Sequence, residues 1–365
     1  MLEHTVRGNY QIPMKLVFLL LTIQNEVDLE AGVPPPITNG AFYLSEYIPG
    51  EKLILRRNPF YRGRFPGNVT QVECPFISEY AASLDEYGSD RVDALDMIAS
   101  DIGTISRARA RFRDELTFIP QLNTFYLTFR MDQHPFNDVA VRKAFAHAID
   151  KVSFTKNATR GSYAPAGGGF VPPGMPAHSE SVGIKFDVTQ AKQCLKEAGY
   201  ADGKGFPKVV ISSVSSTSDN PIVPFLINSW KDILNVEVSP NPLEWEHFLD
   251  MRSSDPSALA VNAWSADYPD PDNFLRALFH SEEGINPGRW YNKEFDQCVE
   301  KAMVVLDQGQ RVSLYRRADE ILVTEEVAIV PIYYSQGRML AKPWVSMPRI
   351  PPAMLQLKEV MIQER

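Results

Sequence analysis

The stretch Trp264-Ser265-Ala266-Asp267-Tyr268-Pro269 sets one carboxylate between two large aromatic side chains. It follows the apolar run Ala258-Leu259-Ala260-Val261, which reads as a buried strand, so the carboxylate stands at a strand end. Taking a carboxylate out of water is costly unless a cation or several donors meet it. Either Asp267 is exposed, or a cation comes to it, and the α-ammonium of a peptide is one such cation. Upstream, Glu244 to Arg252 reads as a helix on which Trp245, Leu249 and Arg252 share a face, being four and seven residues apart. Together the two segments supply two tryptophans, a carboxylate and a guanidinium. That inventory suits a short peptide, with each end charge matched and flat rings for the rest. The competing readings are structural. Asp267 could cap a turn before Pro269. Both tryptophans could be core residues. Arg252 could pair with Asp250 or Asp255.

Other landmarks lie around these segments, in order along the chain. They are Thr38-Asn39-Gly40-Ala41-Phe42, Leu55-Arg56-Arg57-Asn58-Pro59-Phe60-Tyr61, and Pro135 to Phe145 continued by Ala148-Ile149-Asp150-Lys151. Phe170-Val171-Pro172-Pro173-Gly174-Met175-Pro176 and Ala328-Ile329-Val330-Pro331-Ile332-Tyr333-Tyr334 complete the set. From about Thr38 to about Val345 the chain resembles the extracellular solute-binding proteins of family 5, the oligopeptide- and dipeptide-binding components of bacterial ABC importers.

The resemblance implies an α/β, periplasmic-binding-protein-like (type II) fold with two lobes of mixed sheet flanked by helices. It implies capture of a short peptide in an inter-lobe cleft and delivery to an ABC permease in the membrane. It implies a periplasmic or extracytoplasmic location, no cofactor, and no enzymatic activity. It gives Asp267 the peptide amine, and lines the ligand pockets with Trp264 and Trp245. Arg252 matches an arginine near the ligand, and Ser265, Asn262, Tyr268, Tyr333 and Tyr334 are further ligand-side candidates. The two tyrosines Tyr333 and Tyr334 alternate along a strand, so one of them faces the cleft.

Three positions depart from the family pattern. Ala41 replaces a usual proline, Val261 stands where many peptide binders carry another arginine, and Ser265 stands where some have cysteine. The family's export signal, the start of its first lobe and its small extra domain all precede the Thr38 landmark. The N-terminal part of the first lobe and the extra domain are therefore expected to be missing. Apolar sheet surface would then be left open unless Leu16–Ile23 folds back over it. Weak peptide affinity is the consequence, with the second lobe folding by itself.

Composition narrows the alternatives. With 365 residues and 44% hydrophobic content the chain can bury more than one core. A net charge of −8 without a basic block leaves no electrostatic footprint for nucleic acid. No apolar run approaches the length of a membrane span; the strongest, Leu16 to Leu21, faintly resembles a signal core but leads into Asn25-Glu26-Val27-Asp28. Cys74, Cys194 and Cys298 are odd in number and widely spaced, which gives neither a disulfide framework nor a zinc pattern. The histidines show no metal-binding spacing.

Two enzyme-like patterns fail on inspection. Ser153-Phe154-Thr155-Lys156 and Ser218-Asp219-Asn220 match two parts of a penicillin-recognising site, but no Lys-Thr-Gly or Lys-Ser-Gly follows. Asp267, Asp270 and Asp272 could form a glycosidase-like acid pair, though Pro269 and Pro271 interleave them as in a rigid loop. A hydrolase using this loop, and a binder of a nickel complex, an opine or an oligosaccharide, are the remaining alternatives.

The elements that must position these residues divide the chain into 1–127, the remaining first lobe; 128–326, an α/β second lobe; and 327–365, a return to the first. Strands are expected at Lys52–Leu55, Val72–Ile77, Leu116–Pro120, Thr124–Phe129, Lys208–Ile211 and Val236–Val238. Helices are expected at Val139–Asp150, Val188–Ala198 behind Asp187, Ile222–Leu234, and a pair within Asp296–Glu326 split near Asp307. Ser78 through Met97 reads as two helices broken at Gly88, with Ser78 as cap.

Overall fold

The computed structural model describes residues 5–9, 38–77, 79–97, 102–215, 221–347 and 356–364. The Leu16–Ile23 segment, Ser78 and the Ser218-Asp219-Asn220 match lie outside them. The chain forms two compact units, Met1–Ile119 with Gln336–Arg365, and Pro120–Ser335. The divisions fall inside two long strands.

In the first unit, β2 (Phe42–Ile48), β3 (Lys52–Arg57) and β4 (Gln71–Pro75) form an antiparallel meander. β1 (Thr5–Asn9) lies parallel to β4 on one side and to β5 (Ala94–Asp96) on the other. The helices α1 (Tyr80–Gly88) and α2 (Ile102–Arg111) pack Leu84, Tyr87, Ile105 and Ala108 into one core with Leu95 and Met97. The expected second helix after Gly88 does not form. Ala94 and Leu95 instead pair with β1 and with Leu340 and Ala341 of β11 (Ile329–Ala341), because sheet pairing buries them completely. Tertiary pairing overrides a weak local helix preference.

The second unit is built on β6 (Leu116–Phe129), one continuous strand where two were expected; the two-residue β7 (Ala164–Pro165) pairs with β11 at Tyr333 and Tyr334. β10 (Leu259–Ser265) runs antiparallel to β6, with Val261 opposite Leu127. β8 (Val209–Val214) pairs parallel to β10, and β9 (Val238–Leu243) pairs parallel to β8 as an edge. The expected Val236–Val238 strand thus begins at Val238 and runs on through Pro240 and Pro242. An edge tolerates prolines because one side of the strand needs no donor.

The period of two along the strands sorts the core into layers. Leu127, Phe129, Leu259 and Val261 pack against α3 (Val139–His147), α4 (Val188–Glu197) and α5 (Ile222–Leu234). Trp230 anchors that layer, its ring on Phe145 at 4.9 Å and its Nε1 donating to the Phe145 carbonyl. The opposite layer packs Tyr126 with residues of α7 (Lys293–Val304) and α8 (Gln308–Glu320). Between them in the chain, α6 (Trp245–Ser254) leaves β9. Helix starts follow the sequence signals: Asp138, Asp187, Asn292 and Asp307 each accept a backbone N–H of the first turn.

Three of the ligand-side candidates belong to this interior. Asn262 is buried and donates to Thr128 Oγ1. Tyr333 is buried and stacks on both Phe125 and Tyr163 at 4.4 Å. Tyr334 is buried and donates to the Gly169 carbonyl at 2.6 Å. Neither tyrosine is exposed, because β11 is covered on both faces. The three cysteines are free thiols.

Asp319 is the least ordinary member of this core. Its carboxylate lies within the protein and accepts the backbone N–H of Phe170 at 2.8 Å and of Val171 at 3.3 Å. Gly169 makes room for it; a Cβ there would sit 1.9 Å from Asp319 Oδ2. Burial pushes the Asp319 carboxyl up to about 7, against the pull of those two donors.

Two outcomes are expected. Between the ordinary carboxyl value of 3.8 and about 7, the unfolded chain releases a proton that folded Asp319 keeps. Stability should fall as pH rises through that window and level off above it. Denaturant midpoints across the window should show this slope, and Asp319→Asn should flatten it; an undiminished slope in the variant would assign it to another group. Tyr334→Phe should lower stability by about 1–3 kcal/mol, by leaving the Gly169 carbonyl unpaired, without changing ligand binding.

Candidate functional site

Because β8, β9 and β10 are parallel, their carboxyl ends share one edge of the Pro120–Ser335 sheet. In open α/β sheets this edge is where ligands meet the protein, since the loops there are free of the sheet's own hydrogen bonding. Trp264, Ser265 and Asp267 emerge from β10 at this edge, and Trp245 follows the end of β9. Antiparallel β6 brings Asn123 opposite Ser265. A polar chain crosses the strand ends: Ser335 Oγ donates to Asn123 Oδ1 at 2.7 Å, and Asn123 Nδ2 donates to Ser265 Oγ at 2.6 Å.

Asp267 is exposed and Trp264 half-buried. One buried amide holds both. Asn273 Oδ1 accepts the Trp264 indole N–H at 3.0 Å and the Asp267 backbone N–H at 3.0 Å, while its Nδ2 donates to Asp267 Oδ2 at 3.1 Å. Among the described residues no cation pairs with Asp267, and its second carboxylate oxygen accepts no hydrogen bond. The carboxylate is thus held from one side and open on the other. Tyr268 turns elsewhere and donates to Asp272 Oδ2 at 2.7 Å.

Trp245 opens α6 with its ring 58% exposed, so it is not a core tryptophan. Arg252, in the last turn of α6, is half-buried. Asp255 is occupied by Arg130, and among the described residues Arg252 has no ion-pair partner. Its charge is felt at buried Tyr126, whose hydroxyl is pushed up by burial and partly brought back by Arg252.

The two remaining aspartates of the loop are committed to arginines. Arg311 donates to both oxygens of Asp270 at 2.8 and 2.9 Å, and Arg276 donates to both oxygens of Asp272 at 2.7 and 3.2 Å. Burial works against the charge on Asp272, but the donors Arg276 and Tyr268 outweigh it and hold its carboxyl below the usual range. These groups surround a hollow of about 340 Å³ lined also by Met303. Both pairs are bidentate, which fixes the direction of each carboxylate as well as matching its charge. Among the described residues no group of His, Cys, Asp and Glu is placed to hold a metal, and no helix is long and apolar enough to cross a membrane.

Asp267, Trp264 and Ser265 thus stand at the end of β10 and Trp245 just past the end of β9, with Arg252 on the same helix as Trp245, while Asn262, Tyr333 and Tyr334 lie in the interior. The residue-by-residue reading missed Asn273, Asn123 and Ser335. Asn273 sits in Asp270-Pro271-Asp272-Asn273, a dense run of turn formers that could have marked it. Asn123 falls in the break expected between two strands, and Ser335 carries no local signal.

Residues 3–286 match the family described as bacterial extracellular solute-binding proteins, family 5 Middle. The periplasmic oligopeptide-binding protein OppA of Escherichia coli is 29% identical over 317 residues, 85% of this chain and 57% of OppA. "Probable deoxycholate-binding periplasmic protein YgiS" of Escherichia coli is 29% identical over 315 residues, with the same coverage. The chain thus spans 57% of the length of these two relatives. The crystal structure of the ABC transporter substrate-binding protein CtaP from Listeria monocytogenes superposes with a TM-score of 0.75 at 20% identity, covering 91% of this chain and 68% of CtaP, and establishes the fold. With the family matched over most of its length, the chain belongs to the bacterial extracellular solute-binding proteins, family 5.

Proposed function

We propose that this chain captures short peptides at the carboxyl edge of its Pro120–Ser335 unit and serves as the solute-binding component of an ABC-type importer. In this reading it works outside the cytoplasmic membrane, in the periplasm or its equivalent, and hands its ligand to a membrane permease. The observation that carries the reading is Asp267: an exposed carboxylate, fixed by a buried amide and a strand end, with no cation of its own among the described residues. A peptide's α-ammonium supplies the missing charge. Arg252 offers the opposite charge to a carboxylate of the same ligand, and the rings of Trp264 and Trp245 offer flat apolar surface that accepts varied side chains. Binding of this kind needs no bond to be broken.

A second reading rests on the same unpaired arginine and the exposed Trp245 ring. An anion with a broad apolar face, such as a bile acid, would also satisfy both, and one relative is named for deoxycholate. The two ligands separate cleanly, since a bile acid has no use for Asp267.

A thermal-shift screen with di- to pentapeptides, their N-acetylated forms and deoxycholate tests both. Free-amine peptides should raise the melting temperature, N-acetylated ones much less, and each peptide should be recovered intact. Asp267→Asn should weaken free-amine peptide binding by about 2–4 kcal/mol in calorimetry, because a desolvated ammonium loses its counter-charge. Equal affinity for the acetylated peptide, or no loss in Asp267→Asn, would remove the amine from Asp267. Ligand should also alter tryptophan fluorescence, and Trp264→Phe should abolish most of that change; a full signal in the variant would place the reporter elsewhere.

A further inference from the structure

We propose that Asn273 is the positioning residue of the ligand site: through one buried carboxamide it aims the Asp267 carboxylate and fixes the plane of the Trp264 ring. This rests on the peptide-amine reading of Asp267. The geometry leaves the amide a single orientation. The Trp264 indole and the Asp267 backbone N–H can only donate, so the atom that receives both is the amide oxygen. The amide nitrogen then has to face Asp267 Oδ2, where it needs an acceptor. Each partner thereby fixes the others, and an Asn273 turned over would meet donors with donors.

Asn273 is itself held rigidly. It closes a short helical turn over Pro271–Asn273 whose cap, Asp270, accepts from Asp272 N at 3.0 Å, and whose backbone N–H donates to the Asp270 carbonyl at 3.1 Å. Arg311 clamps Asp270, the cap, and Arg276 clamps Asp272 inside the turn, so the turn is tied to α8 and to the helical turn that follows it. These ion pairs hold the mount on which Asn273 stands. The carboxamide occupies one edge of the Asp267 carboxylate and leaves the other for a ligand ammonium. Preorganisation of this kind lowers the ordering cost of binding.

The test combines a ligand-free probe with a double-mutant cycle. Asn273→Leu keeps the branched shape and removes all three hydrogen bonds; Asn273→Ser, a smaller polar change, covers the case that the leucine variant does not fold. In either folded variant the Trp264 indole N–H cross-peak, assigned with Trp264→Phe, should move away from its hydrogen-bonded position before any ligand is added. Affinity for a free-amine tripeptide should fall roughly tenfold to a hundredfold, the worth of one hydrogen bond to a charged group. In an Asp267→Asn background the same substitution should cost far less, because the carboxylate it aims is gone. An unmoved indole peak, or an equal loss in both backgrounds, would overturn the positioning role. If the unmutated chain binds no tripeptide, the peptide reading falls, while the indole peak still decides whether Asn273 holds Trp264.

Discussion

A charge removed from water must meet a counter-charge or enough hydrogen bonds, and this constraint orders the Pro120–Ser335 unit. Among the described residues, each buried charged side chain of that unit meets at least one partner. Arg142 donates to the carbonyls of Phe136 and Glu326, Lys151 to that of Ala166, Asp319 receives two backbone N–H groups, and Asp272 receives Arg276. Lys151, fully enclosed, shows the strain of this arrangement: burial alone lowers its ammonium to about 8. Asp267 and Arg252 stand apart from the rule. Neither has an ion partner among the described residues, and both lie where water or a ligand can reach them.

The backbone places these groups at modest energetic cost. Parallel pairing of β8, β9 and β10 puts three strand ends on one edge, and the antiparallel return of β6 adds Asn123 to it. The alternation along β10 then divides labour within a single strand. Leu259 and Val261 bury in one layer, Asn262 turns into the other, and the polar and aromatic residues begin where the strand leaves the core. The loop that follows is stiffened by two bidentate arginine–carboxylate pairs, which fix direction as well as charge. Flexible elements could present the same side chains, but not in one orientation before the ligand arrives.

Much of the fold was legible in the residues. The helix starts at Asp138, Asp187 and Asp307 and the stop at Gly199 follow from capping chemistry, which is local. The helix Ile222–Leu234 follows from its apolar periodicity, and its buried face is Ile222, Leu226, Trp230 and Leu234. The misreading after Gly88 has the opposite cause. Ala94 and Leu95 become strand only because β1 and β11 lie on either side of them, partners far away in sequence.

For the site the division is similar. An aspartate between aromatics at the end of an apolar run is visible from residue types alone, and so is the helical face joining Trp245 to Arg252, because both depend on short spacings. The order of landmarks along the chain was also enough to indicate the family. Tertiary structure decided what those spacings cannot carry. It buried Tyr333 and Tyr334 by covering both faces of their strand, exposed Trp245, and gave Asp255 to Arg130 rather than to Arg252. It also made Asn273 the hinge-pin between Trp264 and Asp267, since a hydrogen bond is set by position in space, and a sequence records only who is present.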